Sequence, residues 1–213
     1  MKKLLIATGL AGLATPALAH HPLGGMEMTT FAHGLLSGVG HPVLGFDHLF
    51  FVVAMGIAAA FTGRALTAPL AYLAAMVAGV LLTTTGLTLP LAEAVIAVSL
   101  LALGGLVLSG RAVSAPVAMT LFAGFGLFHG SAFGAAMASA EASAAAIVLP
   151  GYLLGLAAVQ YVIAVAAGLL ARRAGDSAAA IQPRLAGAVV AGVGLFLTLE
   201  TLEGAAFAAL GWG

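Results

Sequence analysis

Histidines and carboxylates interrupt apolar runs in this sequence: His41, Asp47, His48, Glu93, His129, Glu200 and Glu203. Where such runs lie in lipid, each ionisable group costs a few kcal/mol, about 2.5 or more on insertion scales, and requires a reason to be there. Imidazole and carboxylate together form a ligand set for a divalent transition metal. They suit Ni2+, Co2+, Zn2+ and Cu2+ alike. The chain has no cysteine, which excludes disulfides, iron–sulfur clusters and thiolate metal sites. It also lacks a P-loop and an H-E-x-x-H pattern, so neither ATP hydrolysis nor zinc-peptidase chemistry is indicated, and the chain reads as no enzyme.

The elements that must position these residues are membrane helices. Hydrophobic residues make up 62% of the 213, charged ones only 7%, and the mean hydropathy is +1.18. A soluble domain is about 25% charged, so this chain cannot cover a water-facing surface. At roughly 20 apolar residues per span, an all-α bundle of about six spans with short loops fits the length. Residues 1–19 read as a cleavable signal peptide: Lys2 and Lys3, an apolar run over 4–13, and Ala17-Leu18-Ala19 as the cleavage site. Residues 20–42 form a periplasmic segment bearing His20, His21, Met26, Met28 and His33, with a short interfacial helix over 29–37. Its glycines Gly24, Gly25 and Gly34 argue against one long helix. Residues 43–213 form the six-helix domain, with spans over 43–61, 66–85, 90–108, 113–135, 150–171 and 185–210.

Orientation follows from the basic residues. With the mature N-terminus outside, the inner connections hold Arg64, Arg111 and the group Arg172, Arg173 and Arg184, while the outer ones hold no Lys or Arg. This obeys the positive-inside rule and predicts an inner-membrane chain with both termini periplasmic. At 1.5 Å per residue, Asp47 and His48 then lie about 7 Å inside the outer face, His129 about 10 Å, and Glu203 and Glu200 about 8–13 Å. Glu93 is one turn below Pro90 on the same side. Groups from four spans thus converge in the outer half, the picture of a divalent-cation site open to the periplasm.

Each residue has a plainer role available. Glu93 in a first helical turn is favoured by the helix dipole alone. Glu200 and Glu203, three apart on one face, could bond to nearby hydroxyls or relay protons. Asp47 could hold an imidazole tautomer rather than touch the ion. His41 and His48 are about 10 Å apart along an ideal helix, so both reach one ion only if the chain breaks near Gly40-His41-Pro42. Gln160 and Tyr161 are placed to hydrogen-bond to a neighbouring helix. Gly126, Gly130 and Gly134 line one face of the fourth span and read as close helix packing.

His41-Pro42-Val43-Leu44-Gly45-Phe46-Asp47-His48 matches an H-x5-D-H pattern, and Phe128-His129-Gly130-Ser131-Ala132 matches the start of F-H-G-x-A. In both, and along the whole chain, the sequence resembles the HupE/UreJ proteins, hydrogenase and urease accessory proteins regarded as nickel permeases. That family's second motif commonly continues to a further histidine and a glutamate, where this chain has Phe133 and Ala136. The resemblance implies a secondary permease taking up Ni2+ through His41, Asp47, His48 and His129, with His33, Glu93, Glu200, Glu203 and His20 as a second tier. Its partners are the lipid bilayer and the metal ion, with no nucleic acid; a second copy of the chain or a metallochaperone would be the protein partner. The rival readings are a membrane accessory protein that binds metal without transporting it, and a haem protein with His48 and His129 as axial ligands.

Overall fold

A computed structural model describes residues 27–138 and 145–211. The expected signal peptide and His20, His21, Met26 and Glu141 lie outside the described residues. The rest is all helical, with no strand among the described residues: α1 (Phe31–Leu44), α2 (Phe46–Ala60), α3 (Ala68–Thr84), α4 (Ala92–Ser109), α5 (Ala115–Ala138), α6 (Ala145–Ala174) and α7 (Ile181–Leu210). Helices α4 to α7 are each long and apolar enough to cross a membrane. So are α1 and α2 taken together, although they are bent by 79° at a one-residue break. Helix α3 has 17 residues, about 25 Å, and falls short of a full hydrocarbon core of about 30 Å.

The first helix differs from expectation. Instead of a short interfacial helix over 29–37, α1 continues through Pro42 to Leu44 and packs along α6. Its glycines are contact points: a Cβ on Gly34 would overlap the Val148 carbonyl, and one on Gly38 the Tyr152 carbonyl. Gly151 and Gly155 of α6 return the contact at Phe31 and Leu35. In lipid, close backbone approach replaces the hydrophobic drive that is missing between helices, so glycines that weaken an isolated helix strengthen this pair. Pro42 falls in the last turn, and the helix ends three residues later at Gly45, whose extended backbone (φ −80°, ψ 98°) caps α1 and starts α2.

Matching glycine contacts set the helix directions. Gly126 meets Tyr72, Gly130 meets Met76 and Gly134 meets Thr83, so α3 and α5 run parallel. Gly104 meets Ala191 and Gly187 meets Leu108, so α4 and α7 run antiparallel. Gly56 of α2 meets Ala164 of α6, again parallel. The glycine stripe of α5 therefore does what its spacing predicts. At Gly105, Gly124 and Gly192, by contrast, a Cβ would meet only open space among the described residues.

Helix α2 is the centre. Phe51, Val52, Ala54, Met55 and Ala59 are fully buried, and α2 touches every other helix of the bundle. The connections carrying arginine gather at one end. Arg172 lies over the Phe61 ring at 5.4 Å, Arg184 Nε donates to the Leu108 carbonyl at 2.9 Å, and Arg111 lines one cavity with Phe61 and Pro183. Asp47 and His48 sit at the opposite end of α2, about 20 Å away.

Candidate functional site

The break at Gly45 delivers the first two site residues. A side chain on Gly45 would crowd the His48 ring, the His41 carbonyl and the Asp47 carboxylate at 3.0–3.2 Å, so glycine leaves the space these groups use. Gly45 N–H donates to the His41 carbonyl at 2.9 Å, closing α1, and Leu49 N–H donates to the Gly45 carbonyl at 2.9 Å, opening α2. Asp47 thus lies in the first turn of α2, where the helix dipole favours a carboxylate. Irregular backbone at such depth is tolerated where protein surrounds it, and broken helices of this kind recur around ion sites in transporters.

His48 points into the bundle and meets His129 of α5. Their Nδ1 atoms are 2.8 Å apart and both residues are buried. The His129 Nε2 lies 3.1 Å from Ser99 Oγ of α4, which itself donates to the Ile96 carbonyl at 2.7 Å. Asp47 Oδ2 is 3.8 Å from His48 Nε2, beyond hydrogen-bond distance. His41 stands at the edge, its ring centroid 6.0 Å from that of His48 and its Nδ1 3.3 Å from Tyr152 Oη. Tyr152 in turn donates to the Phe133 carbonyl at 3.1 Å. Aromatic rings close the cluster: Phe133 lies 4.1 Å from His48 and 5.2 Å from His41 between centroids, and Phe51 packs on His129 at 4.3 Å.

The structure thus brings together His41, Asp47, His48 and His129. Glu93 lies exposed in the first turn of α4, where the helix dipole favours a carboxylate. His33 stays apart, about 12 Å along α1 from His41, with its Nδ1 accepting from Thr29 N–H at 3.3 Å. Glu200 and Glu203 do not join the cluster. They lie on the last turns of α7, where every residue from Leu199 onward is exposed. Replacing both by glutamine should leave Ni2+ affinity within about twofold of wild type, as expected for exposed positions; isothermal titration on the purified chain measures this.

Ser99, Tyr152 and Tyr72 are the polar residues that sequence reasoning passed over. Ser99 is the one hydroxyl in an α4 stretch of apolar residues, six positions after Glu93, which was the available signal. Gln160 does hydrogen-bond across helices: its Oε1 accepts from Tyr72 Oη at 2.6 Å, and both side chains are fully buried. Tyr161 donates to the Leu66 carbonyl at 3.1 Å.

The donor set suits a cation in part. Two imidazole nitrogens on one ion, each about 2.0–2.1 Å from it, stand roughly 3 Å from each other. The Nδ1 pair is within a few tenths of an ångström of that bite. Among the described residues, no three His, Asp or Glu groups stand close enough to complete a site. A third ligand requires His41 or Asp47 to turn inward by a side-chain rotation. Haem does not fit: rings 5.0 Å apart at 63°, flanked by Phe51 and Phe133, leave no slot for a porphyrin.

The sequence profile of the HupE / UreJ protein family matches residues 8–197. Protein HupE of Rhizobium leguminosarum bv. viciae is 34% identical over 200 residues, which cover 92% of this chain and 98% of that protein. No solved structure matches the chain. A match over nearly the whole length, with both histidine motifs meeting at one buried pair, places this chain in the HupE/UreJ family.

Proposed function

We propose that the protein is a secondary permease that takes up a divalent metal ion, Ni2+ by family, across the inner membrane to serve hydrogenase or urease maturation. The observation that carries this reading is the His48–His129 Nδ1 pair, held by two helices at the break between α1 and α2. The proposed topology is six spans after a cleaved signal peptide, with α1 and α2 together as the first, broken span and the arginine-bearing end in the cytoplasm. The ion is captured at Asp47 and Glu93, then loses water to His48 and His129, with His41 and Asp47 turning in to add ligands. The next polar step inward is the Tyr72–Gln160 pair, since Gly126 and Tyr72 lie one turn closer to the arginine end than Gly130 and Met76. With no P-loop in the chain, the ion gradient and membrane potential drive the flux.

The test is 63Ni2+ uptake in cells lacking their own nickel transporters, with cobalt, zinc and copper as competitors. Saturable uptake blocked best by nickel supports the reading. Well-expressed protein that binds Ni2+ but moves none into sealed vesicles would instead identify a non-transporting accessory protein.

Phe133 supplies a second check on the same site. Its ring touches both His41 and His48, so an imidazole there would add the donor that the pair lacks. Phe133→His is expected to raise Ni2+ affinity about tenfold or more, the scale of one well-placed group around a metal. Equal or weaker binding by a folded variant would mean that this position does not face the ion.

A further inference from the structure

Ser99 makes two contacts of unequal length, and the shorter one favours one direction for the hydrogen bonds around His129. Its hydroxyl carries a single hydrogen, and the Ile96 carbonyl at 2.7 Å, which can only accept, takes it. With that hydrogen directed to Ile96, Ser99 Oγ is an acceptor toward His129 Nε2, at 3.1 Å, and Nε2 carries the hydrogen. A neutral imidazole has one N–H, so the Nδ1 of His129 is bare. His48, 2.8 Å away, then supplies the hydrogen between the two rings from its own Nδ1. A backbone carbonyl in α4 thus sets the direction of a chain of donors running from His48 through His129 and Ser99.

We infer that Ser99 is a positioning residue that holds His129 in the Nε2–H tautomer, so that the Nδ1 lone pair faces His48 and is the atom offered to a divalent cation. The inference rests on the metal-binding reading of the histidine pair and deepens it. A cation that bridges the two Nδ1 atoms displaces the hydrogen of His48 Nδ1 and leaves the Ser99–His129 bond untouched. His48 releases one proton from Nδ1 and takes one up on Nε2, the nitrogen that faces Asp47 Oδ2 at 3.8 Å, so the ring stays neutral. His129 is then the fixed ligand and His48 the one that changes tautomer. Ser99, His129 and His48 are all buried, so water does not compete for the Nε2–H.

The decisive measurement is 15N NMR of the full-length, metal-free protein labelled at histidine, in lipid nanodiscs, with His129 assigned from a His129→Asn sample. The expected spectrum has His129 protonated at Nε2 and bare at Nδ1 in the wild type, a mixture of tautomers in Ser99→Ala, and the wild-type pattern restored in Ser99→Thr. His129 protonated at Nδ1 in the wild type, or the same pattern with and without the hydroxyl, overturns the inference. Should the Thr variant not fold, the wild-type spectrum decides alone. Ni2+ titration of the same samples is expected to show Ser99→Ala weaker by about tenfold, the low end of the effect of groups that orient a ligand. Unchanged affinity in Ser99→Ala would overturn the positioning role. Wild-type protein with the Nε2–H tautomer that binds no Ni2+, Co2+ or Zn2+ would support the tautomer assignment and refute the metal site instead.

Discussion

His129→Ala will bind Ni2+ at least about 100-fold more weakly than the wild type, and His48→Ala will match it. Groups that merely orient a metal ligand are worth about 10–100-fold, and a direct ligand exceeds them. The effect is large here because so few donors share the load: two imidazoles meet at 2.8 Å and, among the described residues, no third ligating group stands close enough to complete a site with them. Losing either leaves one buried nitrogen facing a void. That also costs about 1–3 kcal/mol in stability, the penalty of an unsatisfied buried polar group. On the proposal that both nitrogens serve one ion, the double variant should be no worse than either single one; such non-additivity marks a shared partner. Titration of purified protein and nickel uptake by cells, at equal membrane expression, check both statements. His33→Ala, its bond confined to the start of α1, should change neither. Additive losses in the double variant would show two independent sites and would remove the pair from the mechanism.

Gly56→Val will leave little folded protein in the membrane. Gly56 is buried about one turn before the end of α2, and a Cβ there would overlap the Ala164 carbonyl of α6. Gly168 lies against the Gly56 carbonyl on the same interface, so two backbones touch without side chains between them. The carbonyl belongs to a helix and cannot turn aside, so the helices must separate. Overpacking costs about 1–3 kcal/mol or more at a tight contact, and in lipid no hydrophobic effect restores the association. Helix α2 is the one that every other helix packs against, so its displacement also moves His48 away from His129. Thermal unfolding in detergent should fall sharply for Gly56→Val, while Gly105→Ala and Gly192→Ala, whose surroundings are open, should melt like the wild type. Equal melting of Gly56→Val would mean that α2 and α6 are held apart by something other than this contact.

Much of the architecture is written in run lengths and charge positions, because the bilayer imposes them locally. A run of apolar residues must become a helix wherever it lies in lipid, since its backbone groups have no other partner. For that reason, helices α2 to α7 fall close to the apolar runs read from the chain, and the arginine-bearing connections gather at one end. The histidine and aspartate of the first motif are legible for the same reason: an ionisable group in such a run is conspicuous by its cost. The tertiary structure alone decided which of these groups meet. Asp47, His48 and His129 come together because Gly45 breaks the chain and because glycines on α3 and α5, and on α2 and α6, set the registers between helices far apart in sequence. Glu200 and Glu203 miss the site because they lie on turns of α7 beyond its last close contact with α4, at Gly194, where every face of the helix is exposed. Depth follows from counting residues along one helix, whereas which of its turns find a packing partner depends on the contacts of α7 with α4. Ser99 carries no charge, and one hydroxyl in an apolar run is cheap enough to pass without a functional reason. Its importance appears only when the ring of His129, thirty residues further on, is brought against it.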